Sequence, residues 1–442
     1  MKRKRSAPIF VLFLCLAVVL STMTARAAES ITLSGTLTNA DYLIRVPANW
    51  NGTLLVYAHG YSAEVPDASA APGGALMEEA LLQMGYALAG SSYRNGGWAV
   101  KEGIQNTLAL TNYFRGHVGN PQRIILWSNS MGAGVTLKSI EKYPGIYDGA
   151  VAACGLTAGS TKSADWLLAF TLAYDVVFGI PGDWGTVDDI RNDLTFQEMV
   201  AHLGPQLLNP ANGPLFEFVR MVSDIPFENF YPGVPPNTNP NSAWIILDMF
   251  FATQARGEIE ERAGGPIGQN LDHIYTLDPS ELSILNTLGV DAQELLNAMN
   301  ARTTIEAHRP ARHYIERYAD YTGDLKRPVL TMHTKRDGLL LAAQEGVYHE
   351  SVAAAGKEQF LVQAFTEGVT HCDFTGPQYI AAISAMDQWI ATGERPDEAL
   401  SELGFDLTYV PPAWPHVTNA SAAAAGQRNA EVTQIFLPLI AK

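Results

Sequence analysis

Downstream of residue 30 the apolar and polar positions alternate with a period of two, over 31–37 and again over 41–46. That pattern predicts strands with one face buried and the other wet. After an Asn51-Gly52 turn comes an unbroken apolar run, 54–58, which ends at His59-Gly60. A run without alternation predicts a strand covered on both faces. The period then switches back and forth: a helical stretch at 75–84, a small-residue strand at 86–90, a helix at about 98–114, a strand at 123–127, a helix at 131–143 and a strand at 149–153. Repeated strand–helix units of this kind predict parallel crossovers, hence a doubly wound, mostly parallel α/β sheet.

The rhythm stops over 156–325. No strand pattern stands out there, while 166–178 and 243–255 read as apolar helices and 231–241 as a Pro/Asn-rich loop. One helix start is well marked, with Asp278 able to cap, Pro279 suited to the first turn and Glu281 facing the positive end of the helix dipole. The α/β pattern resumes with a strand at 328–334, a helix at 341–355, a strand at 359–365 and a helix at 377–392. The expected organisation is a core split into 28–155 and 326–394 by a helical insertion, 156–325, with 395–442 an extended tail. No internal repeat is visible.

The first residues stand apart from this pattern. Lys2, Arg3, Lys4 and Arg5 precede an apolar run, 9–20, and Ala25-Arg26-Ala27 supplies small residues at a cleavage point, so 1–27 reads as a signal peptide for export. The apolar run is short for a membrane span. Overall, 29 basic against 45 acidic side chains give a net charge of −16, which opposes binding to nucleic acid or anionic lipid. Loss of the leader removes basic residues and no acidic ones, so the imbalance grows. Apolar residues at 47% and charged residues at 17% supply a packed interior. Of the Cys residues, Cys15 leaves with the leader, and Cys154 and Cys372 remain, a pairable number in an oxidising compartment.

The strongest chemical signal is Trp127-Ser128-Asn129-Ser130-Met131-Gly132-Ala133-Gly134, where a buried strand runs into a helix. A nucleophilic serine on a strained strand-to-helix turn needs small residues two positions to either side, and Ser128 and Gly132 meet that need. The turn also sets the Met131 N–H at a helix N-terminus, where it can stabilise an oxyanion. A dinucleotide loop is the competing reading of the glycines, but position 137 is leucine where a third glycine belongs. Metal patterns fare no better: His349-Glu350 has no second histidine on its face and His308 and His313 are five apart, so neither metal nor cofactor is expected.

With these residues the chain resembles secreted serine esterases of the α/β-hydrolase superfamily that carry a helical cap between strands six and seven. The resemblance covers most of 31–156 and 326–394. It implies a triad in chain order Ser, Asp, His: Ser130; Asp337, in the Asp-Gly after strand seven; and His371, in the loop after strand eight. Asp320 and Asp324 are reserve acids. It implies a second oxyanion donor, the Tyr61 N–H of His59-Gly60-Tyr61, beside that of Met131. His59, Tyr93, Arg94 and Asn129 are expected to border the substrate, with bracing of the loops the competing role for His59 and Arg94. The His371-Cys372 pair is similar to one in feruloyl esterases and tannases, where the cysteine after the histidine bonds one beside the serine. Here Asn129 occupies that neighbouring position, so the implied bridge runs from Cys372 to Cys154.

The activity this implies is cleavage of a carboxylic ester, small or polymeric, through an acyl-enzyme, with the insertion choosing the substrate. Its aromatic residues, among them Trp166, Phe170, Phe230, Tyr231, Trp244, Phe250 and Phe251, suggest an apolar or aromatic acyl group. Two alternatives stay open: an exported aminopeptidase, with Glu258, Glu260 or Glu261 holding the substrate ammonium, and a non-catalytic binding protein on the same fold.

Overall fold

The computed structural model describes residues 30–230, 242–271, 273–414 and the pair 418–419. The segment expected to be a leader, the stretch 231–241 that was expected to form a loop, with Tyr231, and the last residues of the expected tail lie outside the described residues.

Eight strands form one sheet: β1 (Ile31–Leu37), β2 (Ala40–Val46), β3 (Thr53–Ala58), β4 (Ala87–Ser91), β5 (Arg123–Asn129), β6 (Gly149–Ala153), β7 (Val329–Thr334) and β8 (Leu361–Thr366). Their order across the sheet is β1-β2-β4-β3-β5-β6-β7-β8. β2 pairs antiparallel with β1 and β4, and the other neighbours are parallel. This is the α/β-hydrolase fold. The unbroken run in β3 has the expected cause, since Leu55 and Tyr57 point into one apolar layer and Leu54 and Val56 into the other. The first layer is closed by helices α1 (Ala75–Gln83) and Gly376–Thr392, through Leu81, Ile383 and Met386; the second by α2 (Val100–His117) and α3 (Met131–Lys142), through Phe114 and Leu137. Burying side chains of that size contributes about 1.5–3 kcal/mol each, so the sheet is a stiff base for loops at its carboxyl edge.

Between β6 and β7 the chain is mainly helical and has its own apolar core, including Phe170, Tyr174, Met199, Phe216, Phe218 and Met249. Asp278 caps Pro279–Thr287 in a capping box with Glu281. Strands occur where none was expected: Gly185–Thr186 pairs with Asp189–Ile190, and His273–Ile274 with Thr418–Asn419. The helix anticipated at 243–255 is instead Ser242–Phe250, one π-helical turn at Phe251–Ala255, and a further helix Arg256–Ala263. That last helix is fastened to the loop after β4, where the Trp98 N–H donates to Glu258 Oε2 (2.8 Å) and Arg262 donates to Gly96 O (2.8 Å).

The segment after 395 departs from the expected extended tail. Asp397–Glu402 is a helix, Leu400 and Phe405 are buried, and Asp406 bridges Phe365 of β8. Among the described residues no helix is long and apolar enough to cross a membrane.

Candidate active site

β5 ends at Asn129 and α3 begins at Met131, so Ser130 alone makes the turn, with φ 54° and ψ −131°. A positive φ is costly for a residue with a Cβ, and strain of this kind is typical where a side chain must be held proud of a sheet. Close packing enforces it. A Cβ on Gly132 would lie 2.1 Å from Ala58 O, so only glycine lets the start of α3 pass the end of β3. The Ser130 N–H is tied to Ala153 O at 3.0 Å.

Two loops meet this turn. His371 Nε2 lies 2.9 Å from Ser130 Oγ, and His371 Nδ1 lies 2.8 Å from Asp337 Oδ2. Asp337 is fully buried, and its other oxygen accepts the N–H groups of Leu339 and Leu340, both at 3.0 Å. Burial pushes this carboxyl up; His371, then His333 and the Leu340 N–H, outweigh that and hold it below the usual carboxylate range. Asp337 is therefore an anion aimed at Nδ1, which leaves Nε2 as the acceptor facing the serine. The reserve acids lie elsewhere: Asp320 binds Thr161, and Asp324 pairs with Lys326 on the surface.

Cys154 and Cys372 form a disulfide from the end of β6 to the residue after the histidine. Both take positive φ, 44° and 57°, so two residues beside the His371 ring share the positive φ of Ser130. Both sulfurs stand close to His371, but bonded to each other they offer no thiolate to a metal.

A cavity opens beside Ser130. Its walls are Tyr61, Trp98, Met131, Leu156, Trp166, Leu167, Ile259, Ile267, Ile315, Leu339, Leu340, Leu341 and Trp414, with Phe251 and Ala255 from the π-helical turn. Ser160, Ser163 and Gln344 are its polar members besides Ser130, and among the described residues no charged side chain lines it. The Tyr61 ring packs edge-on against Phe251 at 5.2 Å, and burial, with Glu258 nearby, raises its hydroxyl to about 12. Tyr61 and Met131 thus flank Ser130 from the β3 loop and from the first turn of α3.

The four residues expected to border substrate do not line this cavity. Asn129 Oδ1 accepts the Tyr57 hydroxyl at 2.6 Å. Arg94 binds Gln105 at 2.6 Å and sits 3.6 Å from Glu102, bracing the loop to α2. His59 donates from Nδ1 to Gly60 O at 2.7 Å and stacks on buried Tyr93, whose hydroxyl donates to His59 O at 3.3 Å. Burial lowers the His59 pKa, so it braces as a neutral ring. The carboxylates considered for an ammonium are engaged too: Glu258 by Arg262 and Trp98, Glu260 by buried Arg256 at 3.2 Å. Glu261 is solvent-exposed.

Sequence reasoning passed over other groups. His333, read as a strand residue, is buried with Nε2 donating to Leu340 O at 2.7 Å and 3.7 Å from Asp337 Oδ2. Its Nδ1 faces Glu345 Oε1, 3.3 Å away, while the other oxygen of Glu345 accepts from Thr331 and Gln363. Asn229, in the short helix Phe227–Phe230, contacts the backbone on both sides of Asp337. A histidine four residues before the acid was a visible signal for the first; nothing in Phe-Glu-Asn-Phe marked the second.

No known family profile matches the chain. It is 23% identical over 406 residues to the o-phthalyl amidase of Xanthobacter agilis, an alignment spanning 82% of this chain and 88% of that protein. Among solved structures it is similar to feruloyl esterase B from Aspergillus oryzae, with TM-score 0.42 and 14% identity over 83% of this chain and 81% of that one. It is also similar to the cell-wall-degrading esterase LipA from Xanthomonas oryzae, with TM-score 0.37 and 12% identity over 82% and 86%. Proline iminopeptidase from Mycobacterium smegmatis gives TM-score 0.39 and 11% identity over 82% and 100%. Strand order and the strained serine turn give this chain the α/β-hydrolase fold, and its likeness to these esterases and peptidases is distant.

Proposed function

We propose that the chain is an exported serine hydrolase that cleaves carboxylic esters with an apolar or aromatic acyl group. The observation that carries this reading is the continuous relay from Ser130 Oγ through His371 to Asp337, with contacts of 2.9 and 2.8 Å. Neutral His371 takes the serine proton at Nε2 as Oγ attacks the ester carbonyl, and Asp337 fixes the tautomer and stabilises the imidazolium. The Met131 and Tyr61 N–H groups receive the developing oxyanion. His371 passes the proton to the leaving alcohol, and water then attacks the acyl-enzyme by the same relay in reverse. The insertion supplies the acyl-side wall and acts as a lid. An uncharged wall favours a neutral acyl group, since an unpaired carboxylate there loses its hydration without compensation. The disulfide agrees with an exported location and with the leader at 1–27.

Hydrolysis of an amide is the second reading, favoured by the similarity to an amidase over most of both chains. Purified mature protein is tested with p-nitrophenyl esters and p-nitroanilides of the same acids, acetic, hexanoic and benzoic, and with a fluorophosphonate label. We expect ester turnover and labelling in the parent protein and neither in Ser130→Ala. Labelling that survives in Ser130→Ala removes Ser130 as the nucleophile, and anilide turnover as fast as ester turnover selects the amidase reading.

A further inference from the structure

We infer that Asn229 is a positioning residue through which the insertion holds the acid loop and the histidine loop in register; this rests on the relay proposed above. Asn229 is 1% exposed, and its carboxamide reaches two loops at once. Nδ2 donates to Arg336 O, immediately before Asp337, and to Val369 O at 2.9 Å, two residues before His371. Oδ1 accepts the Gly338 N–H, immediately after Asp337, at 3.0 Å. One side chain from the insertion therefore pins the peptide units on both sides of the acid and ties them to the histidine loop.

The approach is built in on the other side as well. A Cβ at Gly338 would lie 2.5 Å from Asn229 Oδ1, so glycine is what admits the carboxamide. A carboxamide offers two donors and one acceptor oxygen, and all three face backbone groups here; of the small side chains, only asparagine both donates twice and accepts at this reach. The sheet adds its own link between the loops, Thr334 Oγ1 to Thr370 O at 3.0 Å. That link starts one strand residue away from the turn, whereas Asn229 holds the turn itself.

The test compares Asn229→Ala, Asn229→Asp and Gly338→Ala with the parent protein, using p-nitrophenyl esters for kcat and KM and the fluorophosphonate for serine reactivity. Asn229→Asp keeps the shape and the acceptor and loses both donors, so it carries the test if Asn229→Ala fails to fold. Misplacing a relay by about 1 Å costs about a hundredfold. We expect kcat and the labelling rate to fall by about tenfold or more with KM within about twofold, in contrast to a simple loss of packing. Gly338→Ala is expected to reproduce the loss, and Asn229→Ala/Gly338→Ala to be no worse than Asn229→Ala, because both act on one contact. Asn229→Asp turning over ester at the parent rate, or raising KM alone, overturns the inference. Absent labelling of the parent protein, or labelling retained in Ser130→Ala, instead overturns the relay beneath it.

Discussion

Removing the Cys154–Cys372 bond isolates the contribution of one covalent link to both stability and turnover. The partners are 218 residues apart in sequence, so the bond closes a loop containing the whole insertion, β7 and β8. Chain-entropy arithmetic for a loop of that length gives roughly 5 kcal/mol at 25 °C, the upper end for a single bridge. With an unfolding entropy of about 2.1 cal/mol/K per residue over roughly 400 residues, that corresponds to a fall in Tm of about 6 °C. The variant should be Cys154→Ala/Cys372→Ala. Alanine keeps the cost of the positive φ at both positions, 44° and 57°, so only the cross-link is lost. Because the bond is anchored one residue after His371, ester turnover should drop alongside, with fluorophosphonate labelling slowed in proportion. Differential scanning calorimetry at fixed scan rate and p-nitrophenyl ester kinetics measure the two effects, and intact-mass analysis checks that the parent carries no free thiol. If the double variant melts within a degree of the parent and turns over ester at the same rate, the bridge anchors neither the fold nor the histidine loop.

Two further substitutions probe the cavity wall and a buried ion pair. Ala255→Leu places three extra carbons into the wall formed by the π-helical turn; we expect hexanoate and benzoate esters to lose about tenfold or more in kcat/KM while acetate is spared, and equal loss for all three would remove this wall from the acyl site. Burial raises the Glu260 carboxyl to about 7 even though Arg256 beside it pulls the other way. Its folded pKa lies above the unfolded value of about 4.3, so its contribution to stability is full below that value and is lost as pH rises through about 7. Urea melts should show the stability of the parent relative to Glu260→Gln declining across that window, and parallel profiles would contradict the assignment.

How far the fold could be read from the chain follows from how local each cause is. β3 was legible because both of its faces meet apolar layers, and the serine turn because Ser128, Ser130 and Gly132 carry their steric logic in a few consecutive residues. Of the residues named from the motif and the strand order, His371 lies within hydrogen-bond reach of both Ser130 and Asp337. What escaped depends on distant partners. The helix expected from 98 starts at Val100, and the Trp98 N–H is held by Glu258, far away in the insertion. Asn129 stood at the right edge of the sheet, yet Tyr57 claims its side-chain oxygen, while Arg94 makes the bracing contact that the sequence reading allowed. The 397–414 stretch looked like a tail because its Pro-rich, polar pattern hides the pairing of Asp406 with Phe365. The π-helical turn has no periodicity of its own over five residues, so the run containing it read as plain helix.

The placement of β7 and β8 at the outer side of β6 has a consequence for synthesis. A ribosome that stops anywhere within the insertion leaves a fragment holding the strained serine but neither of its partners, one of which lies 241 residues further on. On the mechanism proposed above such a fragment lacks activity, and it presents the unpaired margin of β6, an invitation to clumping. The same division makes the insertion a natural place to break the gene in two, so that recovered activity would report the reunion of the halves.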